Sequence, residues 1–215
     1  MNYCRRKQYI DNFGYHIYNR GVAKGRIFLS SEEKQTYISY LEEYLIPKQQ
    51  LLEKCVSECT GRVKQAQKIH NLSRLKNYSK RISLSVYCLM PNHVHLIVHQ
   101  KDSRDITEFM SSLHSRYARY FNNQYKRVGP LFQDRYSAVP IRTIEHLARV
   151  SRYVHRNPAD LGCNIEKYKW SSLQLYKSGQ APPWLKVGIV QSAFQKSKYG
   201  RSYGNYMDFV NDDGR

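Results

Sequence analysis

The segment 82–100 constrains the fold of this chain more than any other. It reads ISLSVYCLMPNHVHLIVHQ, two runs of β-branched and apolar residues separated by Pro91 and Asn92. Runs of this composition form β-strands, and a proline followed by an asparagine favours a tight turn between them. The segment therefore predicts an antiparallel β-hairpin whose second strand begins at His93.

Further strands and helices are predicted on both sides of this hairpin. Helices are indicated where apolar residues recur at three- and four-residue spacing, and strands where aromatic and β-branched residues cluster. The order of elements predicts the α+β class, with a ferredoxin-like antiparallel sheet and helices on one face. The predicted strands are 15–21, 82–90, 93–100 and 131–139, and the predicted helices are 32–45, 104–125 and 143–157.

The length of 215 residues suits one domain together with an insertion and an extension. We expect the folded domain at 1–162 and a basic C-terminal extension, without a domain of its own, at 163–215. A basic helical hairpin or mobile loop is predicted as an insertion at about 47–81. Nine Lys and Arg residues stand against two Glu residues in that segment.

The charge of the chain indicates an anionic partner. The 35 Lys and Arg residues exceed the 17 Asp and Glu residues, which gives a formal net charge of +18. Such a field attracts nucleic acid, because neutralised phosphates release condensed counterions, and the 19 tyrosines offer stacking surfaces for unpaired bases. An anionic membrane surface or simple solubility is the alternative explanation.

Two features predict a cytoplasmic protein, which would lie at the nucleoid when bound to DNA. No apolar run approaches the roughly 20 residues that cross a bilayer, and the N-terminus does not resemble a secretory signal. The five cysteines are an odd number, which favours free thiols over a disulfide framework.

Two histidines on the second strand of the hairpin are candidate metal ligands. Side chains alternate along a strand, so His93 and His95 point the same way, about 7 Å apart by strand geometry, and Val94 points into the core. Neutral imidazole is the commonest metal ligand in proteins. His99 shares their face but lies about 13 Å beyond His95. Surface or hydrogen-bonded histidines would also explain the pair.

A phenol and an amide are presented together near the end of the last predicted helix. In the segment SRYVHRNP, Tyr153 and Asn157 are four residues apart and share one helical face, whereas His155 is rotated away from both. The alternative is structural: Tyr153 would be a core residue and Asn157 a C-terminal cap before Pro158.

Four motifs in order carry a resemblance to a known family. They are MPNHVHLIV, GPLFQDRY, YVHRNP and WSS. Over residues 14–176 the chain resembles the REP-associated tyrosine transposases, a branch of the HUH single-strand endonucleases and insertion-sequence transposases. The resemblance implies Tyr153 as the nucleophile and His93, His95 and Asn157 as ligands of Mg²⁺ or Mn²⁺.

The resemblance also implies a reaction and a substrate. We expect a single-tyrosine transposase that cleaves and rejoins single-stranded DNA at hairpin-forming repeats through a covalent 5′-phosphotyrosine, and a monomer rather than a dimer. The insertion at 47–81 and the tail past Tyr176 depart from the compact family pattern. Candidate DNA contacts near the site are Arg135, Arg149, Arg152 and Arg156.

Three alternatives stay open at the level of sequence. Tyr120 and Gln124 have the same four-residue offset as Tyr153 and Asn157, so they form a rival phenol–amide pair. The chain could instead be a non-catalytic RNA- or DNA-binding module on a ferredoxin-like sheet. It could also be a metal-dependent hydrolase that uses water and has no need of Tyr153.

Overall fold

The predicted hairpin forms one side of a four-stranded antiparallel sheet. In the computed structural model, which describes residues 9–59 and 61–212, the strands lie in the order β2-β3-β1-β4. This arrangement confirms the predicted α+β class. The strands are β1 (Phe13–Arg20), β2 (Ile82–Met90), β3 (His93–Gln100) and β4 (Ser137–Pro140).

Local capping signals fix where the main helices begin. The Ser30 side chain accepts a hydrogen bond from Glu32 N, and the Glu33 carboxylate accepts one from Ser30 N, which makes a capping box before the first helix. The Thr143 hydroxyl accepts one from His146 N at 3.0 Å before the fifth. The helices are α1 (Ser31–Leu45), α2 (Lys48–Glu58), α3 (Arg62–Arg74), α4 (Asp105–Gln124), α5 (Ile144–Arg156), α6 (Leu173–Ser178), α7 (Val187–Lys196), α8 (Lys198–Ser202) and α9 (Tyr206–Asn211).

The strand predicted at 131–139 is shorter than expected. Only Ser137–Pro140 pairs with β1 as a strand, and Phe132 makes a single isolated bridge to Gly21. Side-chain hydrogen bonds replace the ladder in between: Asn19 Nδ2 donates to Asp134 O at 3.3 Å, and the Asp134 carboxylate accepts from the next backbone N–H. Aspartate commonly bends the chain in this way.

Helices cover both faces of the sheet, which corrects the prediction that they lie on one face. One face packs on α1 and α4, in a core that includes Val94, Leu96 and Val98 of β3. The opposite face of β2 packs on α5 and on the C-terminal helices. The physical reason is that β2 has apolar side chains on both faces, so helices must cover each face to remove these side chains from water.

The segment after 162 contains more regular structure than its loose patterning indicated. Helices α6, α7, α8 and α9 supply much of the second core cluster, including Val190, Phe194 and Phe209. Trp184 stacks on Tyr87 with ring centroids 6.1 Å apart. The domain boundary at 162 stays a prediction.

The segment 47–81 contains α2 and α3, which pack against each other as a helical hairpin. Leu51, Cys55 and Leu72 anchor it to the first core cluster, while much of its surface is exposed. The four described cysteines are free thiols, as the odd number of cysteines indicated. The predicted domains also include residues 1–8, with Cys4, and residues 213–215, which lie outside the described residues. No helix in the described part of the chain is long and apolar enough to cross a membrane.

Candidate metal and nucleophile site

Strand β3 presents the two predicted histidines on the sheet face that α5 covers. The imidazole rings of His93 and His95 are 4.9 Å apart between centroids, and Val94 between them is buried in the opposite core. His95 is 5% exposed. The alternation expected from the sequence therefore brings both imidazoles to one place.

Helix α5 brings Tyr153 to the same place. Ala148 and Val154 of this helix are buried in the second core cluster, which turns the Tyr153 ring outward, 54% exposed. Its centroid lies 5.6 Å from that of His95 in an edge-to-face arrangement. The alternative in which Tyr153 is a core residue does not hold, because an exposed phenol beside an imidazole is available to a substrate.

Asn157 joins the end of α5 to the histidine pair. Its Nδ2 donates to Tyr153 O at 2.9 Å, as a helix-capping amide would. Its Oδ1 lies 3.3 Å from His93 Nε2. Asn157 thus caps the helix with its nitrogen and presents its oxygen to His93.

The two ring nitrogens of His93 both face oxygen atoms. Nδ1 lies 2.7 Å from Asn92 Oδ1 and Nε2 lies 3.3 Å from Asn157 Oδ1. Both amides are oriented by their nitrogens, since Asn92 Nδ2 donates to Lys24 O and Asn157 Nδ2 to Tyr153 O. Burial lowers the pKa of His93, so its imidazole is neutral and carries one proton for two acceptors.

A second pair of rings lies behind the site. His16 Nε2 is 2.9 Å from His95 Nδ1, the rings are stacked with centroids 5.1 Å apart, and His16 is 8% exposed. Burial lowers the pKa of His95 to about 2, with smaller contributions from the charges of His16 and His93. Burial and the charge of His146 lower the pKa of His16 to about 4. Both rings are neutral at pH 7.

This donor set fits a divalent cation. With Nδ1 of His93 donating to Asn92, the Nε2 lone pair points at the Asn157 oxygen, and two acceptors in contact are stabilised by a cation between them. The two imidazoles and the amide oxygen would supply three neutral ligands. In residues 9–59 and 61–212, no cluster of three or more His, Cys, Asp or Glu side chains could hold a metal, so any ion here depends on Asn157.

Strand β1 contributes three residues that sequence reasoning missed. His16, Tyr18 and Arg20 alternate onto the site face, where Tyr18 lies opposite His95 and Arg20 opposite His93. Tyr18 is 41% exposed, and its ring centroid is 6.0 Å from that of His95. The alternation in YHIYNR was a signal, but the pairing partner of this strand could not be read from the sequence.

The four candidate DNA-binding arginines fall into two groups. Arg135 and Arg149 are exposed, and Arg149 lines an open cleft of about 430 Å³ beside Tyr153 and Asn157. Arg152 and Arg156 also line this cleft but contact the C-terminal helix.

The contacts of this second group are specific. Arg156 Nη1 donates to Val210 O at 2.8 Å and to Asp212 O at 2.9 Å. Arg152 donates to Asp212 O, and its guanidinium lies 5.2 Å from the Phe209 ring centroid. These two arginines therefore join α5 to α9 whatever else they contact.

The rival pair Tyr120 and Gln124 lies elsewhere. Both belong to α4, which covers the sheet face opposite to the imidazoles, and Tyr120 packs on Tyr40 and Tyr117. The structure therefore brings only the Tyr153 pair to His93 and His95.

Two motif residues have structural roles that the sequence did not reveal. His155 is fully buried; its Nε2 lies 2.9 Å from Ser172 Oγ, and its Nδ1 lies 2.9 Å from the Tyr206 hydroxyl. Ser172 Oγ also accepts from Tyr87 N at 3.0 Å. The YVHRNP and WSS motifs are thus in direct contact, and they fix α5 to β2 and to α9.

Comparisons with known proteins give a family match and a structural match. A family model described as "Transposase IS200 like" matches residues 57–157, a range that contains His93, His95, Tyr153 and Asn157. A solved structure of a REP-associated tyrosine transposase bound to a REP hairpin has the same fold at a TM-score of 0.56 and 14% identity; the alignment covers 88% of this chain and 93% of that one. Curated proteins give no significant match. The family match covers a little under half of the chain and the structural match shows a shared fold, and both confirm the resemblance to the REP-associated tyrosine transposases.

Proposed function

We propose that this protein cleaves and rejoins single-stranded DNA, with Tyr153 as the nucleophile and a divalent cation held by His93, His95 and Asn157. One observation carries the proposal. The Asn157 oxygen lies 3.3 Å from His93 Nε2, and the exposed Tyr153 ring lies edge-to-face with the ring of His95, with the centroids 5.6 Å apart. A cation and a phosphate group would meet between these groups.

Each step of the proposed cleavage reaction has a group that performs it. A bound Mg²⁺ or Mn²⁺ would stabilise the charge that develops on the scissile phosphate. The Tyr153 oxygen attacks phosphorus and its proton passes to water, which reaches the exposed phenol. The bond from phosphorus to the 3′ oxygen breaks, and that oxygen takes up a proton as a free hydroxyl. The 5′ phosphate stays on Tyr153, so a second 3′ hydroxyl can reverse the step without ATP.

The substrate we propose is a hairpin-forming repeat with single-stranded flanks. The net charge of +18 and the cleft lined by Arg149, Arg152 and Arg156 favour a polyanion. The solved relative is bound to a REP hairpin, which supports a similar ligand for this chain. A protein of this kind would act in the cytoplasm, at the nucleoid, and we propose that one subunit contains the whole site.

The test uses hairpin-bearing single-stranded DNA labelled at its 5′ or 3′ end. The protein is incubated with Mn²⁺ or Mg²⁺, and denaturing gels reveal a covalent adduct with the fragment 3′ to the cut. Tyr153→Phe should abolish adduct and cleavage. Tyr18→Phe is the matched control, because Tyr18 is exposed on the same face with its ring 6.0 Å from His95.

Each of the other outcomes would indicate a different activity or a different nucleophile. Cleavage that survives in Tyr153→Phe without a covalent adduct would indicate a hydrolase that activates water. An adduct that disappears in Tyr18→Phe but not in Tyr153→Phe would move the nucleophile to β1. Hairpin binding by the parent protein without cleavage in either metal would indicate a non-catalytic nucleic-acid-binding module.

A further inference from the structure

His16 lies beside the proposed metal site, in a position that calls for a chemical role. It is buried in strand β1, and its Nε2 lies 2.9 Å from Nδ1 of His95. In the proposed site the other ring nitrogen of His95, Nε2, would bind the cation. The two residues are 79 positions apart in the chain, so the contact depends on the pairing of β1 with β3. Burying two polar rings against each other is favourable only if a hydrogen bond joins them.

One proton lies between these two nitrogens, and its position decides whether His95 can bind a cation. If His16 Nε2 carries the proton and donates it, His95 Nδ1 is the acceptor and His95 Nε2 holds the other proton. That nitrogen then has no lone pair for an ion. If His95 Nδ1 carries the proton, His16 Nε2 accepts, and the lone pair of His95 Nε2 is free.

We propose that His16 is a positioning residue, which accepts a hydrogen bond from His95 Nδ1 and thereby holds His95 in the tautomer that binds a divalent cation through Nε2. The inference rests on the proposed function, because it concerns the same site. His16 does not touch the ion or the substrate in this role; it acts through His95.

The arrangement at the other histidine supports this role. Asn92 Oδ1 lies 2.7 Å from His93 Nδ1, and its orientation is fixed by the bond from Asn92 Nδ2 to Lys24 O. With the proposed tautomers, both candidate ligands have an acceptor at Nδ1, and Nε2 of His93 faces Asn157 Oδ1. Metal-binding histidines usually donate their second N–H to a carboxylate, a carbonyl or water. Here an amide and a neutral imidazole take that place, so the site gains no negative charge from these partners.

The test measures Mn²⁺ binding in the absence of catalysis. Calorimetry is performed on the full chain carrying Tyr153→Phe, alone and with His16→Leu or His16→Gln. Leucine fills a similar volume without an acceptor, whereas the glutamine oxygen can accept from His95 Nδ1. His99→Leu is the matched control, since His99 is an exposed histidine on the same face of β3.

We expect His16→Leu to weaken Mn²⁺ binding by about 10- to 100-fold, the usual effect of losing such a partner. His16→Gln should bind within a few fold of the parent, and His99→Leu should bind as the parent does. With Tyr153 restored, His16→Leu should need correspondingly more Mn²⁺ for half-maximal cleavage but recover its rate at saturating Mn²⁺. A role in packing alone would not separate these two quantities.

Two results overturn the inference in distinguishable ways. Equal Mn²⁺ affinity in the parent and His16→Leu, or equal weakening in His16→Leu and His16→Gln, would overturn the role of His16 alone. A parent that binds no Mn²⁺ would overturn the proposed metal site as well. Thermal unfolding of each variant verifies that a loss of affinity comes from a folded protein.

Discussion

Asn157 Nδ2 donates a hydrogen bond to Tyr153 O at 2.9 Å, so the candidate ligand and the candidate nucleophile are joined within one turn of the same chain segment. This bond orients the amide group, so that its oxygen is directed at His93. A shift of α5 would therefore move the phenol and the amide oxygen together. The two groups keep their separation even if the distance from the helix to β3 changes on binding DNA.

Removing the Asn157 oxygen should weaken the metal site, and because Asn157→Leu also removes the hydrogen bond to Tyr153 O, thermal unfolding verifies that the helix end stays folded. We expect Asn157→Leu to reduce Mn²⁺ affinity by at least about tenfold, because one of three ligands is lost. Asn157→Asp keeps an oxygen and adds charge, so its affinity should equal or exceed that of the parent. Calorimetry in a Tyr153→Phe background measures both. Unchanged affinity in Asn157→Leu would exclude the amide as a ligand.

The two groups of arginines near Tyr153 should respond differently to neutralisation. Arg149 is exposed in the cleft, so Arg149→Gln should weaken hairpin binding several-fold and reduce the salt slope by about 1 without lowering the melting temperature. Arg156→Gln loses the bonds to Val210 O and Asp212 O and should unfold at a lower temperature. Fluorescence anisotropy at several salt concentrations and calorimetry provide the two measurements.

An identical effect of both substitutions on stability would contradict this division. An exposed arginine of α3, Arg62, is the control, because Arg62→Gln changes the net charge equally at a place outside the cleft. The effect of Arg62→Gln on hairpin affinity measures how much of the loss comes from the lower net charge of the protein alone.

Two glycines should respond oppositely to an added methyl group. A Cβ at Gly21 would lie 2.2 Å from Gly25 O and 2.8 Å from Ile27 Cγ2, so Gly21→Ala should destabilise the fold by about 1–3 kcal/mol. Gly188 lies in α7 with nothing within 4 Å of such a Cβ, and Gly188→Ala should stabilise by about 0.4–1 kcal/mol. Urea unfolding measures both; a tolerated Gly21→Ala would mean that the turn after β1 can rearrange.

Local periodicity predicted the parts of the site that lie within single elements. The hairpin and the shared direction of His93 and His95 follow from a two-residue turn and the alternation of a strand. The pairing of Tyr153 with Asn157 follows from the four-residue spacing of a helix. These relationships span at most a few residues, so the sequence carries them directly.

Long-range contacts supplied what the sequence could not. His16 reaches His95 only because β1 and β3 pair in one register, and a shift by one residue would turn its side chain to the other face. The role of Arg156 depends on α9, more than 50 residues further along the chain. The coverage of the second sheet face likewise depends on α5 and on the C-terminal helices, which are distant from β2 in the chain.

Protonation of His155 should make stability depend on pH in the acidic range. The ring is fully buried, and burial lowers its pKa to about 3 in the folded protein, against about 6.5 in the unfolded chain. Below pH 6.5 the unfolded state binds a proton that the folded state does not. The contribution of His155 to stability is therefore complete above pH 6.5 and is lost progressively as the pH falls towards 3.

His155→Gln isolates this contribution, because glutamine can hydrogen-bond Ser172 or Tyr206 but does not titrate. The variant should be less stable than the parent at pH 7. Between pH 4 and 6 its unfolding free energy should fall less steeply with decreasing pH, by about 1.4 kcal/mol per pH unit, which is the value for one proton. His70→Gln, at an exposed histidine of α3, should leave the slope unchanged. Parallel slopes for the parent and His155→Gln would mean that His155 takes up its proton in the folded protein.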